Sequence, residues 1–544
     1  MGGNKPPYWI QSLRAGAKRS FSVANRNQCA FRWLACVGAL ALSALCRGQL
    51  VADGLFDDWS PSVAMVSDPA GDATGTIDLI RACADSNGTD LFLRIDVGMQ
   101  QPIQVYRSTG GMLVITVEMP SGTLELRTTT RTAYLNGIAV GWNALGVIGP
   151  SHDAREYEMQ IHLGLAGAVA GQTVRVSFGG SDSIGESLQV TLSKPATEPV
   201  RRSATRAPAT EFRLAALNVE NSGLFQTAQS EPLARLLRAV RADVYCLSEL
   251  RKVTGIFNAT ETELAAKLTS IDPLGDRASW NALMCPFPRN GTYADTAICT
   301  TSEIVPAPAI NAQCTAGVVL LPSGPVLVIC LHPKCCNNVG TEDAKRLQTA
   351  QEVAGAIDKL RTRAWHASMD AYADAPVVLA GDWNLVGSPQ PLQVLTESAS
   401  EPMHDCMPRH LIGSAVTTWG HRATTYLSEF MPSRIDLIVH STRLDALNGF
   451  VLDPADCNQN ELSELGLAAT DGFASDHLAV VVDFAGTHRR TADLDGSGQV
   501  DFADVALIML DFGPCPGCAS DLDANGQVDF SDIAIALLDF GPAG

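Results

Sequence analysis

Six short apolar runs between residues 211 and 487 each stop at, or start from, a carboxylate, an amide or an imidazole. Phe212–Leu217 runs into Asn218, Val244–Leu247 into Ser248-Glu249, and Val326–Leu331 into His332. Val377–Ala380 passes Gly381 and releases Asp382 and Asn384. In the other two the polar group comes first: Asp436 opens Asp-Leu-Ile-Val-His, and Asp476-His477 opens Leu-Ala-Val-Val-Val. Short apolar runs bounded by turn residues read as buried strands. If the last two strands run antiparallel to the first four, all these polar groups meet on one rim of the sheets. Singly, each has an ordinary explanation. Asn218, Asp382 and Asn384 suit turns, Glu249 suits a surface ion pair, His332 a half-buried imidazole, and Ser475-Asp476-His477 a cap. Their order along one segment is what argues for a site.

Such a rim has a definite chemistry. A carboxylate such as Glu249 holds a hard cation through oxygen, and that cation neutralises charge on a phosphate. A histidine backed by a carboxylate is a general base that activates water. A second histidine or an asparagine donates to the developing negative charge. Helical spacing over Glu231–Val240 and Thr341–Arg361, with Leu347, Ala350, Val353, Ala354 and Ile357 on one face, alternates with the strands. The segment 211–487 therefore reads as an α/β domain large enough for two packed sheets.

Leu-Asn218-Val-Glu-Asn, Ser-Glu249, Leu-His332-Pro-Lys, Gly-Asp382-Trp-Asn384, Arg434-Ile-Asp436 and Ser-Asp476-His477 together resemble the endonuclease/exonuclease/phosphatase superfamily, over nearly all of 211–485. The resemblance implies a two-sheet α/β sandwich of the DNase I type that hydrolyses phosphoesters with Mg2+, or with Mn2+ or Ca2+. It implies that Glu249, with Asn218 and Asp476, binds the metal. His477 is then the base oriented by Asp436, His332 donates to the phosphate or leaving group, and Asp382 and Asn384 position the water and a phosphate oxygen. The sequence departs from the pattern at Cys335-Cys336 after His332-Pro, at Ser-Glu249-Leu in place of Gln-Glu, and at a tyrosine for which Tyr293 is the nearest match.

The remainder is modular, as expected of 544 residues. Met1–Arg32 carries six Lys or Arg and no acid, and an apolar run Trp33–Leu45 follows. That run is shorter than the roughly 20 residues of a membrane span, so residues 1–48 read as a secretory signal and the product as extracellular or attached to the cell surface. Twelve cysteines follow the signal, and export with an even count predicts several disulfides. Residues 49–194 alternate apolar and polar (Leu91, Leu93, Ile95, Val97; Val174, Val176, Phe178), the pattern of a β-sandwich. Its opening, Asp53-Gly-Leu-Phe-Asp-Asp-Trp59, resembles family 9-type carbohydrate-binding modules, which implies a glycan partner stacked on Trp59 or Trp142. Buried aromatics are the commoner use of either residue. Residues 195–210, rich in Pro, Ala, Thr and Arg, read as a linker.

Residues 490–544 contain a repeat: Asp493-Leu-Asp-Gly-Ser-Gly-Gln-Val-Asp-Phe-Ala-Asp504 returns as Asp521-Leu-Asp-Ala-Asn-Gly-Gln-Val-Asp-Phe-Ser-Asp532. Each copy has oxygen ligands at the odd early positions, Gly at the sixth and a carboxylate at the twelfth, the spacing of a calcium loop. After each comes an apolar helical face: Val505, Ile508, Met509, Phe512, then Ile533, Ala536, Leu537, Phe540. The block resembles a dockerin, which implies Ca2+ on Asp493, Asp495, Ser497, Asp501 and Asp504, and on Asp521, Asp523, Asn525, Asp529 and Asp532. It also implies a scaffold or cell-surface partner.

A net charge of −19 excludes a protein that is basic overall, as general nucleic-acid binders are. Within 211–487 there are 19 Lys or Arg against 31 Asp or Glu, so a nuclease needs its cations gathered at the site. Lys334, Lys345, Arg346, Arg409, Arg422 and Arg434 are the candidates, with Arg346 equally suited to a structural ion pair. The expected function is a secreted, metal-dependent phosphodiesterase, in the first instance a nuclease on DNA or RNA. The alternatives are a lipid- or sugar-phosphate phosphodiesterase of the same superfamily, and a surface-docked glycan-binding protein with an inert middle domain.

Overall fold

The computed structural model describes residues 50–544 apart from 61–62, 105–110, 194–199, 222, 251–258, 273–278, 287–295, 336–337, 398–400, 402, 421–429, 487–491, 496, 498, 516–517, 523–526 and 543–544. The leader and Tyr293, Cys336, Arg422, Asp523 and Asn525 lie outside the described residues. No described helix is long and apolar enough to cross a membrane.

Residues 64–191 form two antiparallel sheets. One runs in the order Ala64–Ser67, Arg81–Asn87, Asp90–Gln101, Ala154–His162, Gly146–Gly149; the other Leu188–Thr191, Thr173–Gly180, Leu113–Met119, Gly122–Arg127, Thr132–Leu135, Ile138–Val140. Period-two alternation sends Leu91, Leu93, Ile95 and Val97 from the first, and Val174, Val176 and Phe178 from the second, into one shared core. Trp142 is sealed in that core at 1% exposure, which removes it as a sugar-stacking residue. Trp59 is half-buried and donates Nε1 to Glu158 at 2.5 Å.

The middle domain has two sheets of seven and six strands. At the centre of the first, Phe212–Asn218 pairs parallel with Val244–Ser248 and antiparallel with Ala479–Gly486. At the centre of the second, Val377–Asp382 pairs parallel with Gly324–Leu331 and antiparallel with Asp436–Ser441. Phe212–Asn218 is buried at every position because both its faces are covered. Phe212, Leu214 and Ala216 enter the core between the sheets. Ala215 and Leu217 face outward with Leu233 and Leu237 of the helix Thr227–Val240. The second sheet repeats this, with Val378 and Ala380 inward and Leu379 packed with Val353 and Ile357 of the helix Thr341–Arg361. That helix opens on Glu342 and Asp343 and closes on Lys359 and Arg361, charges that suit its dipole. The parallel and antiparallel pairings bring the ends of the early strands and the starts of the late ones to one rim.

Residues 200–210 lie along the middle domain instead of hanging free. Arg201 pairs with Glu461 at 2.7 Å, Arg202 N donates to Leu411 O at 2.8 Å, and Arg206 pairs with Asp243 at 2.7 Å. The arginines that gave this stretch a linker composition are its anchors.

In the C-terminal module the helices Phe502–Leu510 and Phe530–Leu538 are each opened by a capping box, Asp501 with Asp504 and Asp529 with Asp532. Two short strand pairs tie the copies crosswise, Gln499–Val500 to Gly541–Pro542 and Gly513–Pro514 to Gln527–Val528. Only part of the expected apolar face is covered. Ile508 and Ala536 are buried, whereas Met509, Phe512, Leu537 and Phe540 are exposed, because helices this short bury one side against each other and leave the next turn to solvent.

The cysteines depart from expectation. Cys515 and Cys518 are bonded to each other, and Cys335 is also disulfide-bonded. The other eight described cysteines are outside disulfides. Most occupy strand positions inside the cores, where a thiol packs as a small apolar group.

Candidate active site

Each site residue stands where its strand changes direction. Gly381 has φ +142°, and a Cβ there would lie 2.1 Å from the Leu331 carbonyl oxygen, so only glycine lets the two parallel strands approach and then part. Glu249 (φ +63°) and Asn384 (φ +49°) adopt the left-handed conformation just past their strands. In such non-glycine residues this marks backbone held in place by its surroundings.

The side chains form one connected group. Asn218 Nδ2 donates to Glu249 Oε1 at 3.0 Å and to Asp382 Oδ2 at 3.2 Å. Asp382 accepts from the Asn384 backbone N–H at 2.9 Å and from its side-chain amide at 3.2 Å. His332 Nε2 lies 3.5 Å from Asp382 Oδ2 and 3.9 Å from Glu249 Oε1. Across the rim, His477 Nδ1 meets Asp436 Oδ2 at 2.9 Å, while its Nε2 lies 3.8 Å from both Asp382 and Asp476. All eight residues expected to form the site are thus brought together. Among the described residues, Asp382, Asp436 and His477 each offer a donor atom within 4.8 Å of the others, a set that differs from the expected Asn218, Glu249 and Asp476.

Burial sets the electrostatics. Desolvation pushes Asp436 up, to about 6, against the pull of His477. Desolvation pushes His477 down, but Asp436 and Asp382 outweigh it and raise the imidazole to about 10. At Glu249 burial is likewise outweighed, by His332, the Asn218 amide and the Asn221 N–H, so its carboxyl sits below its ordinary value. Among the described residues, the ion-pair partners of Glu249, Asp382, Asp436 and Asp476 are histidines only. Several carboxylates in so little space without a lysine or arginine suit a divalent cation, since buried like charges need a counter-charge.

Three further residues hold the site. Thr418 Oγ1 accepts from the Ile435 and Asp436 N–H groups at 3.1 and 2.9 Å. Trp419 Nε1 donates to Asp476 Oδ2 at 3.0 Å, with its ring 6.1 Å from that of His477. Ser475 Oγ donates to Asn218 O at 2.7 Å and accepts from His477 N. Thr418 and Trp419 fall outside every periodic run in the sequence. Only the Gly420 turn marks their place.

Of the cations proposed to gather here, three serve structure. Arg346 is buried and bonds Asp343 and the Lys334 carbonyl. Arg409 pairs with Asp53, and Arg434 with Asp405. Lys345 is exposed and Lys334 half-buried.

Residues 215–477 match the model of the Endonuclease/Exonuclease/phosphatase family. That match spans nearly the whole of the middle domain, which is similar to this family. No curated protein matches the chain. Among solved structures, the human Nocturnin catalytic domain is 15% identical, covers 52% of this chain and 96% of its own, and has a TM-score of 0.34. An endonuclease/exonuclease/phosphatase from Bacteroides vulgatus is 11% identical over 51% of this chain and 98% of its own (TM-score 0.33). Another from Beutenbergia cavernae is 17% identical over 51% and 71% (TM-score 0.32).

Proposed function

We propose that the protein is an exported, divalent-cation-dependent phosphodiesterase. The observation that carries this reading is the open imidazole edge: Asp436 holds His477 Nδ1 from behind, while Nε2 faces the gap toward Asp382 and Asp476, 3.8 Å from each. That separation is too long for a direct hydrogen bond and short enough for one water or phosphoryl oxygen, seated off the line between them, to bond both groups. In this reading neutral His477 takes the proton of the attacking water and Asp436 stabilises the charge it gains. A cation at the neighbouring carboxylates would offset the negative charge that raises His477, leaving the imidazole unprotonated to act as base. Asp382 and Asn384 orient the water and a phosphate oxygen, and His332 donates toward the phosphate or the leaving group. Glu249, with Asn218 and Asp476, would hold the cation, which supplies charge neutralisation at the phosphate. Mg2+, Mn2+ and Ca2+ all suit an oxygen-rich donor set.

Nucleic acid is the first substrate to test. A second reading, a small or lipid-linked phosphodiester, is favoured by two observations. Arg346, Arg409 and Arg434 are withdrawn into structural contacts. A mainly apolar cavity of about 510 Å³, lined by Met284, Cys285, Pro306 and Cys314 among others, lies on the Glu249 side of the rim. Its wall residue Ala259 bonds the carbonyl of Leu250, next to Glu249. Plasmid DNA, bis-nitrophenyl phosphate and phospholipid vesicles, each with and without Mg2+, separate the readings. Absence of metal-dependent turnover on all three would reject the enzyme and leave a glycan-binding protein with an inert middle domain.

The flanking modules complete the proposal. The sandwich serves as a glycan-binding module, and the C-terminal repeat as a calcium-dependent dock to a scaffold or surface. Support for the latter comes from Asp493, Asp495 and Asp504, whose donor atoms lie within 4.8 Å of one another. Asp504 meanwhile accepts the Leu494, Asp495 and Asp501 N–H groups. In the second loop Asp532 accepts those of Leu522 and Asp529. Circular dichroism unchanged by chelation would remove this part.

A further inference from the structure

The β-sandwich touches the middle domain directly behind the site. The strands ending at Asp382 and starting at Asp436 are antiparallel neighbours, and their ladder continues for one more bond, Trp383 N to Ile435 O at 2.8 Å. There the chains separate. Ser151 of the sandwich, 7% exposed, fills the split. Its hydroxyl lies 2.8 Å from the Leu385 carbonyl oxygen and 3.0 Å from that of Arg434. Two residues on, Asp153 N donates to Gly387 O at 2.7 Å. Two carbonyls facing each other cannot bond one another; the one hydroxyl proton between them serves the buried contact with Leu385 and the partly buried one with Arg434. Leu385 follows Asn384, and Arg434 stands two residues before Asp436.

We propose that Ser151 is a positioning residue for the middle domain: the sandwich clamps the two loops that carry Asn384 and Asp436 and thereby sets turnover. The clamp lies outside the segment matching the family model, residues 215–477. In this chain the sandwich is therefore part of the working enzyme as well as an appended module. The inference rests on the phosphodiesterase reading for its effect on rate, but not for its geometry.

The test compares full-length Ser151→Ala, Ser151→Thr, which keeps the hydroxyl, and Asp53→Asn, which weakens another contact of the same interface, with the unaltered chain. Amide hydrogen exchange and steady-state kinetics on bis-nitrophenyl phosphate are measured for each. In Ser151→Ala, exchange of residues 383–387 and 433–436 should quicken by about tenfold or more. kcat should fall about 10- to 100-fold, because small misplacements of reacting groups are costly, with KM changed less than about twofold. Ser151→Thr should recover most of the loss, and Asp53→Asn should leave kcat near that of the unaltered chain. Unchanged exchange in those two segments, or quicker exchange with full kcat, overturns the proposal. If the unaltered chain turns over no phosphoester, the functional reading fails by itself, and the exchange data still decide the clamp.

Discussion

Two buried ion pairs sit toward opposite ends of the same sheet assembly and are built to opposite purposes. At one end Arg213 Nε and Nη2 bond both oxygens of Asp483 at 2.6 and 2.9 Å. Arg213 Nη1 donates to the Ala204 and Val240 carbonyls at 2.9 and 3.0 Å. Asp483 also accepts from Ala207 N, and Phe450 lies against the guanidinium at 5.3 Å. At the other end the Asp436–His477 pair is equally buried, with side chains 0% and 6% exposed. Yet His477 Nε2 has no hydrogen-bond partner among the described residues. A charge pair whose bonds are filled can only hold the fold together. One with a free edge beside two further carboxylates has something left to do, and pays for it in self-repulsion.

The comparison breaks most visibly at the open pair. His477→Ala should cost about a thousandfold or more in kcat while circular dichroism and the melting transition stay close to those of the unaltered chain. Retained turnover would show that the free edge is idle. Arg213→Met leaves Asp483 buried and uncompensated, and should lower stability by about 3–5 kcal/mol in denaturant titration. Turnover per folded molecule should be unchanged. If activity fell as far as in His477→Ala, the division between the two ends would be wrong.

Removing divalent cations sharpens the contrast between the site and the C-terminal loops. Chelation should abolish turnover without unfolding the middle domain, whose cores are independent of any ion. In residues 492–544, where ten Asp stand without a Lys or Arg, it should lower helicity. Limited proteolysis after chelation checks this by cutting within 490–544 first.

The smallest effect belongs to a third buried pair. His410 Nδ1 lies 2.6 Å from Asp456, and Nε2 lies 2.6 Å from the Thr417 carbonyl, two acceptors that require both ring nitrogens to be protonated. Desolvation alone would lower this imidazole, but Asp456 outweighs it and the group is raised above its ordinary value of 6.5. A raised folded-state value stabilises fully below the unfolded value and is lost as pH rises through the folded one. The destabilisation by His410→Gln, about 1–2 kcal/mol, should therefore be larger at pH 6 than at pH 9. An equal loss at both would make His410 a packing residue.

Much of the middle domain was legible in one dimension. The apolar runs became strands because each is covered on both faces, and Thr341–Arg361 is a helix over the span its spacing predicts. Polar residues at strand ends could be read as a group because their order implied a shared rim. Arg346 could not be told from a substrate-binding cation, since what separates the two is the carbonyl of Lys334, twelve residues away in sequence and 2.9 Å away in space. Trp142 could not be told from a sugar platform until both sheets closed over it. The apolar face after each acidic loop was visible, but not how little of it would be covered.

What the chain alone determined is which residues can carry charge, where strands must stop, and that an acidic loop repeats, because these follow from side-chain chemistry and spacing. Whether the imidazole of His477 would be left open, which arginines would be used up internally, and whether a hydroxyl of the sandwich would bridge two loops more than two hundred residues away were decided by folding. Each depends on distances between segments that the order of residues does not specify.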